Sequence, residues 1–166
     1  DKSKKGEIDE KVISLINIIN SKANYYTTSS CSGRVYFWVG SGKKNETEWL
    51  KVSHDLIYSD FFNLSHNGLI WLRLEAMILH IACRDLNCAN LLLDECRTLY
   101  KKSCILSASN KIIVEIRGSE FIEMPYALNG ELLFKGDISW LKDLINGKLE
   151  RIWLGIDKLE KVVEKI

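Results

Sequence analysis

The stretch Tyr25-Tyr26-Thr27-Thr28-Ser29-Ser30-Cys31-Ser32-Gly33-Arg34-Val35-Tyr36-Phe37-Trp38-Val39 carries the pattern that decides the fold. Aromatic and β-branched residues flank a run of small polar ones, which predicts strand, hydroxyl-rich loop, strand. Such a run suits a grip on a polar ligand. Gly33 lets backbone approach closely, the hydroxyls and amides donate, and Arg34 offers a rigid fork for a carboxylate or phosphate. A Ser/Thr-rich turn carrying an ordinary surface arginine accounts for the same residues.

Outward from this stretch, helical and extended patterns alternate. Ile8, Val12, Leu15, Ile16 and Ile19 have helical spacing and predict a helix over 7–22. Gly40–Asn45 reads as a turn, Glu48–Ser53 as a returning strand, and Asp55–Asn63 as a short helix. Strands are expected over 69–73 and 77–83. Asp85 suits the N-cap of a helix from Leu86 to Tyr100. Ser103–Leu106 and Lys111–Arg117 form a hairpin pattern, and 121–126 is extended because Met124 precedes Pro125. Asp137 can cap a helix to Ile145, and an apolar stripe from Leu149 to Ile166 marks a closing helix. The expectation is an α+β fold, a two-layer domain with mixed sheets and packed helices. Ser30-Cys31 and Ser103-Cys104 each follow a helix and precede an arginine, which raises internal duplication as a possibility.

Composition narrows the class. The 166 residues, 46% hydrophobic, suffice for one compact domain over 1–166. A net charge of +1 announces neither nucleic acid nor membrane, so an RNA-binding surface must be a local patch. Lys2, Lys4 and Lys5, Lys43-Lys44 and Lys101-Lys102 are candidates, or simply solvated charge clusters. No apolar run reaches membrane length and no secretory signal opens the chain. The five cysteines include no CxxC pair, which fits a cytoplasmic protein better than a disulfide framework. Cys88 and Cys96, eight apart, read as small core residues of one helical face. The chain opens without methionine in the lead-in to a helix, so a short preceding segment is expected.

Polar side chains interrupt apolar strands at His54, after Val52-Ser53, at His80 within Met77–Cys83, and at Arg117 after Ile112–Ile116. Burying such groups is costly unless each finds a partner or a ligand. Each histidine alone is explained by a satisfied core or edge position; several at strand ends beside a hydroxyl run suggest a shared cleft. The familiar nucleotide cradles are missing, since no GxGxxG or P-loop occurs. No GxSxG elbow is present, and the histidines lack close metal-ligand spacing, so no metal is expected.

In this order, Tyr26–Arg34, Val52-Ser53-His54-Asp55, Ile78-Leu79-His80 with Cys83-Arg84-Asp85-Leu86, Ile112–Arg117, and Pro125 with Gly130-Glu131-Leu132-Leu133 resemble one family. It is the wybutosine-synthesis tRNA N4-methyltransferase family. The resemblance implies an S-adenosylmethionine-dependent enzyme, not of Rossmann type, that methylates N4 of the wyosine-type base at position 37 of phenylalanine tRNA. The partner implied is the anticodon arm. Two departures stand out. Leu99 and Cys104 replace glycines of the family pattern, and Glu75-Ala76-Met77 replaces Glu-Pro-Phe. Cys104 is therefore expected to crowd a close approach of backbone to cofactor.

The acceptor nitrogen must lose a proton, a task suited to a neutral histidine. His80, with His54 second, is the favoured base or acceptor-orienting group; loss of the proton to water is the alternative. Ser29, Ser30, Cys31, Ser32, Arg34, Ser53 and Ser103 are candidates for the cofactor. Arg84, Arg117, Lys5 and Tyr26 are candidates for the RNA, by bidentate anion contacts, charge and stacking. Competing readings are a tRNA-binding module without catalysis and a thiol-dependent hydrolase using Cys31.

Overall fold

The computed structural model describes residues 8–40 and 46–166. Lys2, Lys4, Lys5, Lys43 and Lys44, and most of the turn expected at Gly40–Asn45, lie outside the described residues. The described elements are α1 (Glu10–Asn20), β1 (Tyr25–Cys31), β2 (Arg34–Gly40), β3 (Thr47–Ser53), a 3₁₀ turn (Ser59–Phe62), β4 (Leu69–Glu75), β5 (Ile78–Cys83), α2 (Leu86–Cys96), β6 (Cys104–Ala108), β7 (Ile112–Arg117), β8 (Phe121–Leu128), β9 (Glu131–Leu132) and α3 (Ile138–Val163). The α+β expectation holds. No described helix is long and apolar enough to cross a membrane.

The chain divides into two compact units. The first comprises the residues up to Ser32, Ala76–Ser119 and Arg151–Ile166; the second comprises Gly33–Glu75 and Glu120–Glu150. The first unit holds a sheet of order β1-β5-β7-β6, the second a sheet of order β3-β2-β4-β8-β9. Every described pairing is antiparallel, where mixed sheets were expected. The reason lies in the α2 crossover. It returns β6 parallel to β5, as a helical crossover does, but β7 inserts between them and pairs antiparallel with both.

In the first unit, α1 packs along β1, and α2 packs over β5 and β7. Leu79 and Ile81 of β5 and Val114 and Ile116 of β7 are buried, as are Val12, Leu15 and Ile19 of α1 and Cys88, Leu92 and Cys96 of α2. Strand alternation sends the intervening residues to the opposite face. Asp85 caps α2 by accepting from the Cys88 N–H at 2.8 Å, and this bond, with the Arg84 side chain next, holds its carboxyl down at about 2. Tyr25 donates to the Cys88 carbonyl at 3.0 Å, tying the edge strand to α2.

In the second unit, Phe37 lies 4.7 Å from Tyr126 and 5.3 Å from Phe61 between ring centroids, on the face where Val35, Leu72 and Leu74 are buried. Pro125, opposite Trp71, sits beside a β-bulge, the position a sheet allows a residue without an N–H. The two closing helices expected from the sequence are one continuous α3. Asn146 falls in the gap between the two expected helices, and its amide accepts from the Ile57 N–H and donates to the Ile57 carbonyl, both at 2.9 Å. A residue spent on such a clamp does not end a helix.

Candidate functional site

The hydroxyl run is strand, not loop. Thr27–Cys31 belong to β1, an edge strand, and only Ser32 and Gly33 connect it to β2. Small polar side chains suit an edge that must remain wettable. Two N–H groups along this stretch are met by side chains. Asn20 Oδ1 accepts from Thr27 N–H at 2.8 Å, and Asp9 Oδ2 accepts from Ser32 N–H at 2.7 Å. Gly33 takes φ 96°, a conformation that favours glycine at this turn.

A bulge between Thr27 and Ser29 sets the register that matters. It brings Ser29 opposite His80, while His80 pairs with Glu115 and Glu115 with Cys104. Directly opposed residues share a face, so Ser29, His80, Glu115 and Cys104 form one row across four strands. This is the polar face of the first unit's sheet. His80 Nε2 lies 2.9 Å from Glu115 Oε2, with side chains 25% and 14% exposed, and Arg117 Nη1 lies 3.9 Å from Glu115 Oε1. The next row holds Cys31, Ile78 and Arg117. On the other side of the row, Tyr26 stands opposite Ala82, about half exposed, with Lys111 Nζ 5.5 Å from its ring centre. Tyr26, Arg84, Asn110 and Lys111 line a groove of about 330 Å³ at that end.

Ser32 and Ser103 are the buried polar residues of the first unit, and each hydroxyl lacks a hydrogen-bond partner among the described residues. Ser103 otherwise uses its backbone, accepting from Arg97 Nε at 3.0 Å. Such orphaned hydroxyls are rare, since burial without a partner is costly. Both hydroxyls are closed to solvent. Ser30, opposite Leu79, is only partly exposed. Arg84 is exposed and pairs with Asp85 at 3.0 Å.

Three expected site residues belong to the second unit. The Arg34 fork is engaged by Glu75 at 2.9 and 3.0 Å and stacks against Trp49, 4.5 Å from its ring centre. Tyr36 donates to the other Glu75 oxygen at 2.9 Å, and Arg73 bridges to Glu123 at 2.6 Å. Ser53 makes a local turn, accepting from the Asp55 N–H at 3.0 Å and donating to its carbonyl at 2.9 Å. His54 follows it. Lys5 lies outside the described residues.

Glu115 was missed in the sequence. Its signal was available: in Ile112-Ile113-Val114-Glu115-Ile116-Arg117 it shares strand parity with Arg117, on the face opposite the buried Val114 and Ile116.

The profile of the family described as Methyltransferase TYW3 matches residues 1–165. The chain belongs to this family. A Thermococcus sibiricus relative named tRNA(Phe) 7-((3-amino-3-carboxypropyl)-4-demethylwyosine(37)-N(4))-methyltransferase is 34% identical over 175 residues, covering 100% of this chain and 89% of its own. A Methanocaldococcus jannaschii protein of the same name is 37% identical over 158 residues, covering 89% and 82%. The solved structure of the PH1069 protein from Pyrococcus horikoshii superposes with a TM-score of 0.88 at 32% identity, covering 96% of this chain and 87% of that one. A hypothetical protein from Aeropyrum pernix shares the fold at a TM-score of 0.79 and 23% identity. Membership of the TYW3 methyltransferase family implies a methyl donor, and the polar row lies within the matched region.

Proposed function

We propose that this protein is an S-adenosylmethionine-dependent tRNA methyltransferase that methylates N4 of the wyosine-type base at position 37 of phenylalanine tRNA. The observation that carries the site assignment is His80, set in a polar row on a sheet face and hydrogen-bonded at only one ring nitrogen among the described residues. When bound, S-adenosylmethionine supplies an electrophilic methyl on a sulfonium, so the protein has mainly to align, desolvate and move a proton. The donor set fits that cosubstrate: its carboxylate, ammonium and ribose hydroxyls need hydrogen-bonding groups, and Ser32 and Ser103 offer buried hydroxyls that the protein leaves unused. We assign Ser29, Ser30, Cys31, Ser32 and Ser103 to the donor's surroundings, with Arg34 and Ser53 as further candidates.

His80 accepts the proton that the acceptor nitrogen loses, with His54 the second candidate. Tyr26 offers a half-exposed ring for the flat base, and Arg84, Arg117 and Lys111 supply charge to the phosphates of the anticodon arm; Lys5 is a further candidate. The family match over nearly the whole chain supports one functional domain. The buried thiols Cys83, Cys88 and Cys96 fit a cytoplasmic setting. The test is transfer of labelled methyl from S-adenosylmethionine to phenylalanine tRNA carrying the demethylated wyosine precursor. Label in that base supports the reading. Its absence, with folded protein and correct tRNA, turns the reading to a tRNA-binding module, or to an enzyme that Cys104 has impaired.

A further inference from the structure

We infer that Glu115 is the positioning residue of His80: it accepts the Nε2–H of the imidazole and so leaves Nδ1 as the lone-pair nitrogen that receives the acceptor's proton. The inference rests on the methyltransferase reading and deepens it. The two residues are directly opposed on neighbouring central strands, and Nε2 lies 2.9 Å from Oε2. Nδ1 has no hydrogen-bond partner among the described residues. A neutral imidazole carries one proton, and a carboxylate can only accept, so a proton on Nε2 satisfies this pair and a proton on Nδ1 sets two lone pairs against each other. The tautomer therefore follows from the cross-strand pairing. The two side chains are mostly buried, and a buried charged pair gains little net stability once its desolvation is counted, so stability alone gives a weak reason for a carboxylate at this point of the sheet. Glu115 Oε1 faces Arg117 at 3.9 Å, which orients the carboxylate from its other side.

The proton balance is complete. The acceptor N–CH₃ bond forms as the donor S–CH₃ bond breaks, and that electron pair stays on sulfur. The acceptor's proton passes to Nδ1, and the resulting imidazolium is stabilised by the Glu115 carboxylate at Nε2. Glu115→Gln keeps the size but can serve either tautomer by turning its amide, and it no longer offers a charge to the imidazolium. The expected result is a loss in kcat on the order of 10²-fold, with KM for tRNA and donor within about twofold. Nitrogen NMR of His80 supplies a readout that does not depend on the variant folding. The wild type is expected to show a protonated Nε2 and an unprotonated Nδ1, and Glu115→Gln a mixture. A wild-type Nδ1–H tautomer, or full kcat in folded Glu115→Gln, overturns the inference while leaving the methyltransferase reading intact. No wild-type methyl transfer to correctly modified tRNA overturns both.

Discussion

Tyr25 shows how one side chain links an edge strand to a helix and to pH. Its hydroxyl donates to the Cys88 carbonyl, and burial first, with the nearby Cys88 second, pushes its pKa from 10.0 up to about 12. In the unfolded chain that proton leaves near pH 10. Between pH 10 and 12 the unfolded state therefore binds fewer protons, and the free energy of unfolding falls as pH rises. Burial likewise raises Cys96 to about 12 and Cys83 to about 11, and both act in the same direction from pH 9 upward. Tyr25→Phe should cost about 1 kcal/mol near neutrality through the lost hydrogen bond, and its stability should decline less steeply than the wild type's above pH 10. Denaturant titrations across pH 8 to 11 measure both. At this scale the sequence was partly legible. His80 stood out as a polar break in an apolar strand. Glu115 did not, because its role depends on a partner 35 residues away.

Elements show where local reading succeeds and where tertiary structure overrides it. The Asp85 cap and the amphipathic α1 are written in neighbouring residues and emerged as expected. The hydroxyl run was read as a loop because Ser is a turn former, yet pairing with β5 makes it strand, with the Asn20 side chain accepting from the Thr27 N–H. The gap expected between Ile145 and Leu149 is bridged by helix for the same kind of reason, with Asn146 clamped on the remote Ile57. Gly155 within α3 gives a direct test. A Cβ there would lie 2.6 Å from the Tyr100 hydroxyl and 3.6 Å from the ring carbon that bears it. Gly155→Ala should therefore destabilise by about 1–2 kcal/mol despite the better helix propensity of alanine. In a Tyr100→Phe background the obstructing oxygen is gone, and the same change should stabilise by up to about 1 kcal/mol. Thermal melts of the four proteins read the sign reversal directly; equal effects in both backgrounds would refute the packing argument.

Across the whole molecule, fold class and family were legible, whereas the division into two units was not. The α+β alternation and the dispersed motifs survive in one dimension. The pairing of β1 with β5 and of β4 with β8 joins strands about 50 residues apart in sequence, and nothing local encodes such a choice. The two Ser-Cys pairs fall on β1 and at the start of β6, the two edges of one sheet. With a net charge of only +1, the proposed tRNA binding rests on local cations, and Arg117 and Lys111 of the first unit are the ones we propose. Replacing either with alanine should weaken tRNA binding and reduce the slope of log affinity against log salt by about one. An unchanged slope would remove that residue from the RNA contact.

The central claim is that His80 performs the proton transfer of a tRNA N4-methylation. The measurement that tests it most directly is the single-turnover rate of methyl transfer from labelled S-adenosylmethionine to phenylalanine tRNA bearing the demethylated wyosine precursor, in wild type and His80→Ala. The account predicts label in the modified base for wild type and a loss of about 10²-fold or more in the variant, with tRNA binding retained. Equal rates in the two proteins would contradict it.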